Sequence, residues 1–371
     1  MSHNLLSVVD LGAGGIAEVM GVTDSFVEVS ERAVPKVPAL RARTVVSLFY
    51  EDSTRTRLSF EAAAKRLSAD TMNFSVSTSS VSKGESVRDT VQTIEAMGVD
   101  ALVVRHGSAG VPAQVASWVG ATVINAGDGW HEHPTQALLD CYTIRSRTGT
   151  LDGLRIAIVG DVKHSRVARS DVLAFTMLGA EVTLVAPPTL LPPCLDGWPV
   201  SVTSDLDSVL PKCDVVYLLR MQAERQTEAL LPSLREYTAR FGLTRARADL
   251  LGDDTLVMHP GPMNRGVEIA ADVADLPRSV ITRQVANGVA VRMAVLFLLL
   301  GAGPSARAQP ERQDAGPSAR AQPERQDAGP SARAQPERQD AGPSARAQPE
   351  RQDTGPSARA QPERQDTGAR G

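Results

Sequence analysis

TVVSLFYEDSTRTRLSFEAAAKRL, residues 44–67, is the stretch that decides how this chain reads. Thr44 to Phe49 is a short apolar run of the kind buried in a parallel sheet. Leu58 to Leu67 has the composition of a helix. Between them Ser53-Thr54-Arg55-Thr56-Arg57 falls at a strand end and a helix N-terminus, where free N–H groups and the helix dipole favour an anion. The Arg55 guanidinium offers a planar fork for phosphate oxygens, and the hydroxyls of Ser53, Thr54 and Thr56 add short donors. A helix capped by Ser53 or Thr54, with Arg55 and Arg57 in solvent, accounts for these residues equally well. The rest of the chain has to decide.

Downstream, apolar runs at 71–74, 101–105 and 121–125 alternate with helical segments at 87–97 and 111–119, which predicts a doubly wound parallel sheet. The serine-rich segment Ser75 to Gly84 interrupts it and ends in Ser82-Lys83-Gly84-Glu85; a loop of that length in a compact unit is commonly functional or mobile. After the fourth strand come Asn125-Ala126-Gly127-Asp128-Gly129, then His131-Glu132-His133-Pro134-Thr135-Gln136, with Pro134 suited to the first turn of a helix over 137–147. Asp152-Gly153 opens a second wave: strands at 155–159, 181–186, 215–219 and 255–258, with a helix over 167–178. The expected fold is α/β, two doubly wound parallel-sheet domains with the active site in the cleft between them. The first spans 1–134 and is completed by a C-terminal helix, 284–300; the second spans 135–285. Upstream, residues 1–43 read as a helical lead-in that Gly12, Gly14 and Gly15 weaken.

A length of 371 residues asks for two domains, and 42% hydrophobic residues suffice for their cores. A net charge of −4 gives no broad basic field and argues against nucleic acid. Cys141, Cys194 and Cys213 are spaced for neither a metal site nor a disulfide framework and suit a reducing, cytoplasmic compartment. No basic-then-apolar leader is seen at the N-terminus. The apolar run Val289 to Leu300 contains Arg292 and is too short to span a bilayer, so it reads as a core helix and no membrane is expected. From Ala302 a thirteen-residue unit recurs at Ala315, Ala328, Ala341 and Thr354. Its only apolar side chains are alanines, so 302–371 reads as a disordered tail, with ends roughly 45 Å apart.

Ligands of open α/β sheets bind at the C-terminal ends of strands. Here those ends carry Ser53 to Arg57, Arg105-His106, His133 with Gln136, Lys163 with Arg166, Arg220 with Gln222 and Arg225, and His259-Pro260-Gly261-Pro262. His131 beside His133 has no carboxylate partner or spacing that argues for a metal. Each arginine alone could be a solvated strand end. Arginines at strand ends in both domains predict a substrate with several negative charges held between them.

These segments resemble the catalytic chains of the aspartate/ornithine carbamoyltransferase family from about Leu5 to Leu300. The Ser-Thr-Arg turn and His133-Pro134-Thr135-Gln136 are similar to transcarbamylases in general. Lys83, Arg166, Arg220-Met221-Gln222 and the His-Pro-x-Pro segment resemble the aspartate enzymes, because an ornithine enzyme carries cysteine where Pro260 stands. The resemblance implies carbamoyl phosphate on Ser53, Thr54, Arg55, Thr56 and Arg105. Its carbonyl would be polarised by Thr56, Arg105 and His133, and its NH₂ group read by Gln136 and the backbone near Gly261 and Pro262. Aspartate's carboxylates would pair with Arg166 and Arg220, supported by Gln222. Ser79 and Lys83 would reach into a neighbouring subunit's site, implying a homotrimer, and Glu51 and Arg225 would bridge the domains on closure. No cofactor and no metal are implied; regulatory chains or a dihydroorotase are further partners the resemblance admits. Two features depart from the pattern: Gly261 stands where some relatives carry leucine, which is expected to loosen its loop, and the glycines at 12–15 are unusual. The Gly261–Pro262 bond is expected to be cis.

Other readings are a non-catalytic scaffold for a partner enzyme, a transcarbamylase for a different amino acid, and a dinucleotide-dependent oxidoreductase. A scaffold would be expected to lose some of Arg55, Lys83, Arg105, His133 or Arg220, and all are present. The oxidoreductase lacks the Gly-x-Gly-x-x-Gly fingerprint after any strand.

Overall fold

The structure, a computed structural model, describes residues 3–75, 84–221 and 230–301. Ser79, Lys83, Gln222, Arg225 and the tail 302–371 lie outside the described residues. The elements run α1 (Gly12–Ser30), β1 (Thr44–Phe49), α2 (Thr54–Arg66), β2 (Asp70–Ser75), α3 (Val87–Ala96), β3 (Ala101–His106), α4 (Val111–Trp118), β4 (Thr122–Asp128) and α5 (Pro134–Thr148). They continue with β5 (Arg155–Val159), α6 (Arg166–Met177), β6 (Glu181–Val185), β7 (Val200–Thr203), α7 (Leu206–Val209), β8 (Val215–Leu218), α8 (Leu234–Phe241), α9 (Arg245–Ala248), β9 (Leu256–Met258), α10 (Ala271–Ala274) and α11 (Ile281–Leu300).

The strands form two sheets, β2-β1-β3-β4 and β7-β6-β5-β8-β9, and every strand pairing is parallel. In the first sheet Val45, Val46, Leu48, Leu102, Val103, Val104, Val123 and Ile124 are all buried, as apolar runs covered on both faces should be. Each sheet reverses its winding once, between β1 and β3 and between β5 and β8. Loops leave such a point in opposite directions and open a crevice. The predicted strand ends are the ones that flank these crevices: Ser53–Arg57 and Arg105 in the first sheet, Arg166 and Arg220 in the second.

Some boundaries differ from the sequence reading, for physical reasons. Helix α2 begins at Thr54, not Leu58, with Ser53 as an N-cap residue whose side chain makes no capping hydrogen bond. The capped-helix account of that serine therefore fails. Helix α1 runs for 19 residues despite Gly14, Gly15 and Gly21. Its buried side chains Ile16, Val19, Met20, Phe26 and Val29 belong to the core, and the helix packs on α11; tertiary burial outweighs weak propensity. Helix α11 starts at Ile281, three residues before the expected Gln284, and is 20 residues long. By length and composition it could cross a membrane, contrary to the sequence estimate, yet it lies against α1, α2 and α5 with Gln284, Asn287 and Arg292 among its buried positions. The edge strand β7 and the short helices α7 to α10 had no periodic signal long enough to read. Near the N-terminus Leu5 bonds across to β4, its N–H to Val123 O at 3.0 Å and its carbonyl to Asn125 N at 2.9 Å.

Candidate active site

Both crevices open onto one cavity of about 860 Å³. From the first sheet it is lined by Glu51, Ser53, Thr54, Arg55, Thr56 and Arg105, and from α5 and the turn before it by His133 and Gln136. From the second sheet come Arg166 and Arg220, with Gly261 and Pro262 from the loop after β9. His106 and Lys163, also at strand ends, do not line it: His106 Nδ1 accepts from Ser108 N at 2.9 Å.

The first turn of α2 presents Thr54, Arg55 and Thr56, so the helix N-terminus faces the cavity. Arg55 and Arg220 reach the cavity from opposite sheets, and burial, then the Arg220 charge, lowers the Arg55 pKa. Arg105 sits at a register shift between β3 and β4, the kind of irregularity that re-aims a side chain. Its Nη1 donates to Ala126 O at 3.1 Å, and its Nη2 lies 3.6 Å from Glu51 Oε1. Arg166 opens α6 and places Nη2 2.6 Å from Glu51 Oε2, an ion pair between the two sheets. Arg166 Nη1 is buried without a hydrogen-bond partner among the described residues. Gly127 makes this convergence possible. It has φ +118°, and a Cβ there would lie 2.8 Å from Nη1 of both Arg105 and Arg166.

His133 is buried, and desolvation followed by the charges of Arg105, Arg292 and Arg166 holds its pKa well below the usual histidine value. It is a neutral imidazole, with Nε2 3.5 Å from the Thr56 hydroxyl. A neutral ring among cations can donate one N–H to an oxygen that gains negative charge. Its backbone N–H donates to Ser170 Oγ at 2.8 Å. His131 faces away to Asp128, Nδ1 to Oδ2 at 3.1 Å. Among the described residues no group of three or more His, Cys, Asp and Glu is arranged to hold a metal.

The loop after β9 is braced rather than loosened. Gly261 N donates to His259 Nδ1 at 2.7 Å, and His259 Nε2 pairs with Glu268 Oε1 at 3.1 Å. The Gly261–Pro262 bond is cis. Gly261 has φ +63°, and a Cβ there would lie 2.7 Å from Arg55 Nη1. Glycine at this position makes room for the arginine.

Sequence reasoning missed Arg292 and Gln284, which also line the cavity from α11. Arg292 is fully buried, its pKa pulled down to about 10 by desolvation, with Nη1 donating to Gly288 O at 3.0 Å and its guanidinium 5.2 Å from the Phe60 ring centre. The available signal was a lone cation inside an apolar helical run.

Residues 3–146 match the family model described as aspartate/ornithine carbamoyltransferase, carbamoyl-P binding domain, and residues 152–299 match its Asp/Orn binding domain. Aspartate carbamoyltransferase catalytic subunits from Acidothermus cellulolyticus and Thermobifida fusca are 61% and 59% identical to this chain. The first alignment covers 83% of this chain and 95% of the relative, the second 84% and 100%. Aspartate transcarbamoylase from Trypanosoma cruzi, solved in complex with carbamoyl phosphate and aspartate, is 34% identical and superimposes with a TM-score of 0.74 over 80% of this chain and 96% of that one. The same enzyme in complex with N-(phosphonacetyl)-L-aspartic acid gives a TM-score of 0.75 at 34% identity over 80% and 95%. With two parallel sheets, one cavity between them and both halves of the family model matched in order, the chain belongs to the aspartate/ornithine carbamoyltransferase family.

Proposed function

We propose that this chain transfers the carbamoyl group of carbamoyl phosphate to the amine of L-aspartate, giving N-carbamoyl-L-aspartate and phosphate, an early step of pyrimidine synthesis. The observation that carries this reading is the convergence of Arg55 and Arg105 from one sheet with Arg166 and Arg220 from the other on a single cavity. Such a site suits a phosphate at one end and a dicarboxylate at the other. The phosphate sits on the α2 N-terminus with Ser53, Thr54, Arg55, Thr56 and Arg105. Thr56, Arg105 and neutral His133 polarise the carbonyl. The neutral amine of aspartate, its carboxylates on Arg166 and Arg220, attacks the carbonyl carbon to form a tetrahedral intermediate. The C–O bond to phosphate then breaks, and the departing phosphate takes the amine's proton. Catalysis is positioning and stabilisation of the developing oxyanion.

The active form is a homotrimer in the cytoplasm. Lys83 and Ser79 act in a neighbour's site, Gln222 supports the aspartate, and Arg225 joins Glu51 in domain closure. These assignments rest on the resemblance of their sequence segments. Carbamoyl aspartate formation by the full chain tests the main reading. The Arg55→Ala chain should lose roughly 10²–10³-fold in turnover, as expected for one preorganised donor. Near-normal turnover would remove the phosphate from the α2 N-terminus, and product with ornithine but not aspartate would reassign the acceptor.

A further inference from the structure

Beneath the cavity, α5 turns a carboxylate into the interior. Asp140 is fully buried and is met by donors from three elements. Gln136 Nε2, one turn earlier on α5, lies 3.0 Å from Oδ2 and 3.3 Å from Oδ1. The Tyr217 hydroxyl on β8 donates to Oδ2 at 2.8 Å, and Gln284 Nε2 on α11 donates to Oδ1 at 2.7 Å. Burial pushes Asp140 up to about 7 against the pull of these donors. Its neighbour Asp171, on α6, is pushed well up by burial and then by the Asp140 charge.

A glutamine amide has a donor edge and an acceptor edge. By engaging Nε2 of Gln136, Asp140 leaves Oε1 as the edge for the cavity that Gln136 lines. Carbamoyl phosphate and acetyl phosphate differ by NH₂ against CH₃, and an acceptor at that spot tells them apart. Resting on the function proposed above, we propose that Asp140 is a positioning residue: it fixes the Gln136 amide with its oxygen toward the cavity and so makes the site choose a carbamoyl over an acyl phosphate. The same carboxylate sets a second amide. With Nε2 engaged by Asp140, Gln284 turns Oε1 to the His259 N–H at 3.0 Å, and His259 Nδ1 in turn accepts from Gly261 N at 2.7 Å. One buried side chain thereby aligns, through its hydrogen bonds, both the amide and the loop that face the NH₂ group.

The test compares two ligands on the full chain: KM for carbamoyl phosphate, and Ki for acetyl phosphate as its competitor. In Asp140→Asn the new side chain brings a donor of its own, and Gln136 is no longer obliged to point its oxygen outward. KM for carbamoyl phosphate should rise about 10- to 100-fold, while Ki for acetyl phosphate moves less than about threefold. The double variant Asp140→Asn/Gln284→Glu moves the carboxylate across the hydrogen bond, which gives the new amide an acceptor and returns its oxygen to Gln136; selectivity should recover. Equal weakening of both ligands, or no change in either, overturns the proposal. If Asp140→Asn is insoluble, the double variant decides alone: selectivity within about threefold of the parent supports the proposal, and loss of selectivity overturns it. The parent's turnover is measured alongside. An inactive parent sinks the proposed function, whereas an active parent with an unselective response sinks only the role of Asp140.

Discussion

Asp171 is a carboxyl group with nowhere to put a charge. It is fully buried beside the Asp140 carboxylate and the Tyr217 hydroxyl. Its folded pKa lies well above the ordinary 3.8, so the folded chain keeps a proton that the unfolded chain releases. The stability this group contributes is fully present below its unfolded pKa and is lost as pH rises toward the folded one, by up to about 1.4 kcal/mol per pH unit. An amide of the same shape has no proton to lose. The urea midpoint of Asp171→Asn should therefore gain on the parent as pH goes from 5 to 8. A gap that stays constant with pH would mean that the carboxyl is not held protonated.

Among the elements, the C-terminal end of β4 bears most directly on the site. A Gly127→Ala side chain would press on Arg105 and Arg166 together, at a φ that only glycine adopts readily. Displacing two guanidinium groups by a few tenths of an ångström or more should cost roughly 10²-fold in kcat/KM, with the fold's melting temperature changed far less. Wild-type kinetics in that variant would show that the two arginines have slack. The strands and the helices that follow them were legible because their signals are local: apolar runs of four to six residues, a proline at a first turn, arginines just past a strand end. What was illegible depends on which helices meet. Nothing near Asp140 in the chain announces Tyr217 or Gln284, and α1 looked weak until α11 supplied its partner face. Arg292 was visible as an anomaly in an apolar run, but its place in the cavity wall required the packing of α11 against α2 and α5.

For the whole molecule, the proposed trimer makes a complementation test available. Trimers of Lys83→Ala chains and of Arg55→Ala chains should each be nearly inactive. Mixed trimers should recover about one third of normal activity, because one interface in each joins an intact Arg55 to an intact Lys83. Mixed trimers as inactive as their parents would place both residues in the same subunit's site. The packing of α1 on α11 has a further consequence, in time rather than in space. About 250 residues separate the end of α1 from the start of α11, so at typical elongation rates roughly 12–50 s pass between the synthesis of the two helices. Throughout that interval Ile16, Val19, Met20 and Phe26 lack the helix that covers them. A chain stopped at Ser279 should accumulate in the insoluble fraction, and one stopped at Gly301 should stay soluble and retain full turnover per site. Equal solubility of the two would mean that α1 finds adequate cover earlier. On this expectation the first helix of the chain waits for the last before most of its apolar face is covered.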